Sequence, residues 1–222
     1  MIVQIAKIFQ MLTYWPIYLG LKICAGYKIE GQENLKGLEN KAVIFASNHA
    51  SYLDGPICAA SMPKESFYPN RFFPIRFLAL RQYYNWRNPF PFPFNFLTAA
   101  YVRINGSIPI DKTGGDLLKA LEEAITALKN GDKVWIYPEG SRTKDGNLQK
   151  GRRGVAFLQK QTSAPIVPVG ITGSHKVCSL KTLFRKNRVS IRIGKPVYSF
   201  GGGSLENNVE NLMSAISSLI KK

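Results

Sequence analysis

His49 and Asp54 stand five positions apart in the stretch Val43-Ile44-Phe45-Ala46-Ser47-Asn48-His49-Ala50-Ser51-Tyr52-Leu53-Asp54. An imidazole held by a carboxylate has a fixed tautomer, and its outward nitrogen can take a proton from a hydroxyl. On a regular helix, five positions turn about 140° off the starting face at 3.6 residues per turn, so the pair would not meet there. It meets most easily where a strand ends and a helix begins, with His49 in the turn. The apolar run before Ser47 reads as a buried strand, and the polar Ser47-Asn48 ends it. In an open α/β sheet such a junction lies at the carboxyl end of a strand, where ligands bind. Two ligands do not make a zinc site and no Cys lies at a ligand spacing nearby, so the pair is read as acid–base apparatus with no metal.

A second block has the same form. Val134-Trp135-Ile136-Tyr137-Pro138-Glu139-Gly140-Ser141-Arg142-Thr143 is an apolar run ending in a turn that carries Glu139, Ser141 and Arg142. Together the two blocks resemble the glycerolipid acyltransferases of the lysophosphatidate (1-acylglycerol-3-phosphate) acyltransferase type. Asn48, His49 and Asp54 match that family's N-H-x-x-x-x-D signature, and Tyr137 to Arg142 its F-P-E-G-T/S-R block. A third signature, G-x-I-F-I-x-R, is partly met by Gly106-Ser107-Ile108-Pro109-Ile110-Asp111-Lys112, with Pro109 for Phe and Lys112 for Arg. An apolar run around V-P-V resembles Ile166-Val167-Pro168-Val169-Gly170.

The resemblance implies transfer of a fatty acyl group from a thioester, acyl-CoA or acyl carrier protein, to a hydroxyl of a lyso-lipid. The acceptor it favours is 1-acylglycerol-3-phosphate, giving phosphatidate. His49 would be the general base and Asp54 its orienting carboxylate. Neither an acyl-enzyme nor a cofactor is needed, because the thioester is already activated, and Ser51 is read as a local turn residue. Lys112, Glu139, Gly140, Ser141 and Arg142 would form the acceptor site. There Arg142 offers phosphate a planar fork, Lys112 a point charge, and Glu139 orients that guanidinium or binds an acceptor hydroxyl.

Composition sets the wider frame. The chain has 222 residues, 45% hydrophobic and 20% charged, which argues for one folded domain and against disorder. Its net charge of +16 is concentrated in acid-free spans. Residues 67–100 hold Arg71, Arg76, Arg81 and Arg87 without an acid, and residues 146–205 hold eleven Lys and Arg, again without one. So basic a surface favours a polyanion or an anionic membrane. Cys24, Cys58 and Cys178 are an odd number, widely separated, and suggest no disulfide framework.

The elements that must position these residues follow from pattern. Residues 1–27, with only Lys7 and Lys22 charged and Pro16 in the middle, predict a helix or helix pair lying in the membrane interface. Residues 28–222 then form the acyltransferase domain. A strand and turn are expected over 28–41, helices over 57–61, 116–129, 155–161 and 205–220, and strands over 133–136, 166–171 and 189–193. The alternation and the resemblance set the expected fold: one α/β domain, a mixed sheet flanked by helices, behind an N-terminal membrane-interface helical segment. Residues 67–100 interleave aromatics with arginines and carry Pro89-Phe90-Pro91-Phe92-Pro93-Phe94. Such a segment could stack on single-stranded nucleic acid, seat in a headgroup layer, wall an acyl-chain groove or fill a core. Beside the two signature blocks, the membrane or the groove is the expected use, with no nucleic-acid partner. The place expected is the cytoplasmic side of the cell membrane, held peripherally or monotopically. Two alternatives stand beside this reading: acylation of another lyso-lipid, such as a lyso-ornithine lipid or lysophospholipid, and a non-catalytic basic protein that binds membrane or nucleic acid.

Overall fold

The computed structural model describes residues 2–64, 67–69, 71–111, 116–177, 188–200 and 203–220. Seven strands form one sheet in the order β1-β7-β6-β2-β5-β3-β4. They are β1 (Lys28–Glu30), β2 (Val43–Ser47), β3 (Ile75–Leu80), β4 (Ile108–Ile110), β5 (Lys133–Ile136), β6 (Ile166–Thr172) and β7 (Ser190–Ile193). All neighbours pair in parallel except β6 with β7, so the sheet is mixed, as expected. The helices are α1 (Ile2–Ala25), α2 (Asp54–Ala59), α3 (Phe94–Ile104), α4 (Leu117–Lys129), α5 (Gly154–Thr162) and α6 (Leu205–Ile220).

Alternation along the strands divides the core in two. On β2, Val43 and Phe45 face one layer, where Phe45 stacks on Trp135 at 5.0 Å and packs with Tyr14, Ile57 and Met62. Ile44 and Ala46 face the other, against Leu121, Ile125, Leu158, Leu212 and Ile216 of α4, α5 and α6. The central parallel strands β2 and β5, covered on both faces, are therefore apolar apart from Ser47 at the end of one and Lys133 at the start of the other. α4 begins at the predicted place because the Asp116 side chain accepts a hydrogen bond from Lys119 N at 3.1 Å.

Two prolines occupy strands without breaking them. Pro109 lies in β4, the edge strand, where a missing N–H interrupts no ladder on the solvent side. Pro168 lies in β6 one residue before pairing with β7 begins at Val169, and its carbonyl accepts Gly194 N at 2.8 Å. β3, in contrast, was not expected from the pattern. It sits inside the aromatic and arginine-rich span, and Arg76 breaks its apolar run. That guanidinium reaches Gly106 O at 3.0 Å and Asp132 at 3.3 Å, so the charge is satisfied beside the strand.

The N-terminal segment is one helix, not a pair, and no described helix is long and apolar enough to cross a membrane. The helix is apolar on both faces, with Met11, Trp15, Ile17, Tyr18 and Leu21 packed against the core. Ala6, Gln10, Tyr14 and Ala25 are buried, while Ile5, Ile8, Leu12, Leu19 and Ile23 are exposed. Gln10 is the polar key of the inner face. Its Nε2 donates to Ile75 O at 2.8 Å and Asn105 O at 3.0 Å, and its Oε1 accepts from Ile75 N at 2.9 Å. Replacing it with Leu leaves three buried backbone groups unpaired. An unmet buried group costs about 1–3 kcal/mol, and each kcal/mol is worth roughly 2–4 °C at this chain length. Gln10→Leu should therefore melt at least several degrees below the native protein in a thermal scan; an unchanged midpoint would show that the amide is not structural.

Candidate active site

The turn after β2 is built around one carboxylate oxygen. Asp54, the first residue of α2 and fully buried, accepts on Oδ2 from His49 Nδ1 at 2.8 Å, Ala50 N at 2.7 Å and Ser51 N at 2.8 Å. The contact selects the tautomer with hydrogen on Nδ1, which leaves Nε2 free to accept. Ser51 Oγ accepts from Leu53 N at 3.2 Å, so Ser51 is a turn residue as expected. Asn48 holds the other end. Its amide donates to Ile171 O at 2.9 Å and accepts Ile171 N at 2.8 Å, acting like one more strand residue against β6.

The turn after β5 lies alongside. Glu139 is buried, and its two oxygens accept from His49 N at 2.7 Å and Gln149 N at 2.8 Å. Thr143 N donates in turn to His49 O at 2.9 Å, so both backbone groups of His49 are held by the neighbouring turn. Glu139 is thus engaged in fixing backbone, whereas the sequence suggested a partner for Arg142 or an acceptor hydroxyl. Burial pushes its carboxyl above the ordinary range, against the pull of the two N–H groups. Gly140 has φ +70° and closes the turn through a bond from its N–H to Tyr137 O at 2.9 Å. A Cβ there would lie 2.6 Å from the Arg152 side chain, so the position admits only Gly without rearrangement. Ser141 O accepts from Gln149 Nε2 at 3.2 Å.

Two aromatic contacts complete the site. The His49 ring stacks on Tyr137 with centroids 4.0 Å apart and 15° between planes. The Arg142 guanidinium carbon sits 4.1 Å from the centre of the Tyr52 ring, which meets Phe90 edge to face at 4.9 Å. Lys112 lies outside the described residues. His49, Asp54, Glu139, Gly140, Ser141 and Arg142 come together at the carboxyl ends of the adjacent strands β2 and β5. β2 leads through α2 toward β3 on one side, and β5 leads through α5 to β6 on the other, which makes this a topological switch point.

From this mouth opens a cavity of about 890 Å³, lined by His49, Ser141 and Arg142 at one end and mostly by apolar groups beyond. β3 supplies Phe77 to Leu80, and α3 supplies Phe94, Leu97, Thr98, Tyr101 and Val102. Those α3 positions fall at helical spacing on one face, a signal present in the sequence but hidden by the prolines before it. Tyr52 and Tyr137 carried no comparable signal, since nothing in spacing says which aromatic will meet an imidazole or a guanidinium. The arrangement suits proton abstraction from a hydroxyl at Nε2 beside a long apolar slot.

A family model described as Acyltransferase matches residues 26–172. A chloroplastic 1-acyl-sn-glycerol-3-phosphate acyltransferase of Brassica napus is 23% identical over 219 residues, covering 97% of this chain and 56% of that protein. One from Arabidopsis thaliana is 26% identical over 197 residues, covering 87% and 48%. The alpha form from Ovis aries is 32% identical over 99 residues, covering 43% and 34%. The chain thus spans about half the length, or less, of these curated relatives. The crystal structure of the 1-acyl-sn-glycerophosphate acyltransferase PlsC from Thermotoga maritima has the same fold, with a TM-score of 0.67 at 20% identity over 96% of this chain and 80% of that one.

The Glu139 clamp can be tested without knowing the reaction. In Glu139→Gln the amide NH₂ must face one of the two N–H groups, donor against donor, which sacrifices a charged hydrogen bond worth about 1.5–3 kcal/mol. The variant should melt lower, and exchange at the His49 and Gln149 amides should quicken. The folded carboxyl titrates above its unfolded counterpart, so its stabilisation is full at low pH and is lost as pH rises through the raised value. The stability gap between native and Gln proteins should accordingly narrow as pH rises; a gap that widens would contradict the burial argument.

Proposed function

The chain belongs to the acyltransferase family, and from that premise we propose that it moves a fatty acyl group from a thioester to a lyso-lipid hydroxyl. The preferred acceptor is 1-acylglycerol-3-phosphate and the product phosphatidate. The observation that carries this reading is the half-buried His49, held by the buried Asp54, at the mouth of an apolar slot, with Arg142 at the same mouth.

His49 Nε2 takes the proton of the acceptor hydroxyl as its oxygen attacks the thioester carbonyl, and Asp54 stabilises the imidazolium that forms. Collapse of the tetrahedral intermediate expels the thiolate of coenzyme A or acyl carrier protein, which recovers the proton. The acyl chain lies in the slot between β3 and α3. Arg142, its face on Tyr52, keeps the edge of its fork for the acceptor's phosphate. Lys112 adds charge, Gly140 and Ser141 shape the turn beneath that phosphate, and Glu139 serves the acceptor by holding the base in register.

Residues 1–27 attach the enzyme to the cytoplasmic face of a membrane without spanning it, and residues 28–222 carry out the reaction. The exposed apolar stripe of α1 and the exposed Phe92, Phe94, Phe96 and Leu97 in and just before α3 give apolar contact. The net charge of +16 draws the protein to anionic lipid. Binding to vesicles should therefore weaken as salt rises yet persist in part at high salt; complete release by salt would remove the apolar component.

The reaction is tested by following coenzyme A or carrier-protein release with lysophosphatidate and an unphosphorylated analogue. His49→Ala should abolish turnover in a folded protein. Arg142→Ala should raise the KM for lysophosphatidate and lower kcat/KM about ten- to a hundredfold, the worth of a charged hydrogen bond. It should change the unphosphorylated acceptor little. Equal losses on both acceptors would make Arg142 a residue of the turn, and a fully active His49→Ala protein would sink the mechanism.

A further inference from the structure

Beneath the His49 imidazole lies an aromatic ring to which the reaction above assigns no task. Asp54 fixes the imidazole within its own plane through Nδ1, but a single hydrogen bond in the plane leaves tilting out of it unopposed. The face of Tyr137 removes that freedom, lying 4.0 Å away at 15°. The ring is placed from the adjacent strand: Tyr137 directly follows β5, and the Gly140 turn and the Glu139 bond to His49 N set its register against the base. The two ring planes are therefore fixed relative to each other by backbone on both sides.

The stack is worth different amounts in the two states of the base. A neutral imidazole gains packing from it, whereas an imidazolium also gains the attraction of a cation for the negative face of the ring. Proton transfer from the acceptor creates that cation, so the contact strengthens as the reaction proceeds. Other charged groups around His49 act elsewhere. Asp54 meets the imidazole at its edge, Glu139 meets the backbone N–H, and Arg142 is turned to Tyr52.

The hydroxyl of Tyr137 takes no part. It is buried beside the Cys58 thiol and Asp54, and makes no hydrogen bond of ordinary geometry among the described residues. Burial raises its pKa well above the usual tyrosine value, so it stays protonated and does not ionise near neutrality. The ring, not the oxygen, is the working part.

We propose that Tyr137 is a positioning residue of the acyl transfer, a platform that holds the His49 imidazole toward the acceptor hydroxyl and stabilises the imidazolium as it forms. This rests on the acyltransferase reading of the site. The test compares Tyr137→Phe, Tyr137→Leu and Tyr137→Met with the native enzyme and His49→Ala, measuring kcat, both KM values and the melting temperature. Phe keeps the π face and should stay within about twofold of native kcat without melting lower. Leu and Met fill the space without a π face, and should lose about 2- to 30-fold in kcat while both KM values hold within about twofold. A folded Leu or Met variant with native kcat would overturn the platform. So would a Phe variant as impaired as Leu, which would hand the role to the hydroxyl. Should neither Leu nor Met fold, the Phe variant still decides, since the platform requires it to be active. A fully active His49→Ala protein is a separate failure, that of the acyl-transfer reading itself.

Discussion

One oxygen of Asp54 accepts from an imidazole and two backbone amides, and the site depends on that convergence. The same atom orients the imidazole and ties the turn that presents it, so the geometry of the site and the local fold cannot be separated. Three donors on Oδ2 offset part of the heavy cost of burying the carboxylate, while Oδ1 meets no donor among the described residues. The five-residue spacing is the loop length that lets the first residue of a helix reach back over its own entry turn.

A second buried carboxylate repeats the device between turns. Glu139 links the turn after β5 to that after β2, and Asn48 links the latter to β6. The three strands that meet at the site are thus joined by side chains at their carboxyl ends, beyond the reach of the ladder itself. Parallel strands arrive there with unpaired backbone groups, and polar side chains on the turns supply the partners.

Much of this was legible in the chain. His49 and Asp54 could be placed at a strand end because an apolar run gives way to polar residues just before them. The strands over 133–136 and the helices over 116–129 and 205–220 follow from periodicity that packing did not override. β3 was not legible, because Arg76 and the surrounding prolines and aromatics mask a short strand whose charge is satisfied by distant partners. The Tyr137 and Tyr52 contacts were not legible either. They depend on which turn ends up beside which, and that is decided by sheet order. Glu139 could be singled out as important but not understood, since its partners are backbone groups that look alike at every position.

The glutamine on the inner face of α1 touches two elements at once. Ile75 opens β3 and Asn105 closes α3, and these are the two walls of the apolar slot. A single amide side chain therefore acts as a gauge block between them, fixed to a helix whose far side is greasy and exposed. The bore of the slot is set from outside it. The spacing of those walls is thus referenced to a residue that lines no part of the slot, so a change of side chain at Gln10 would be felt as a change in its width.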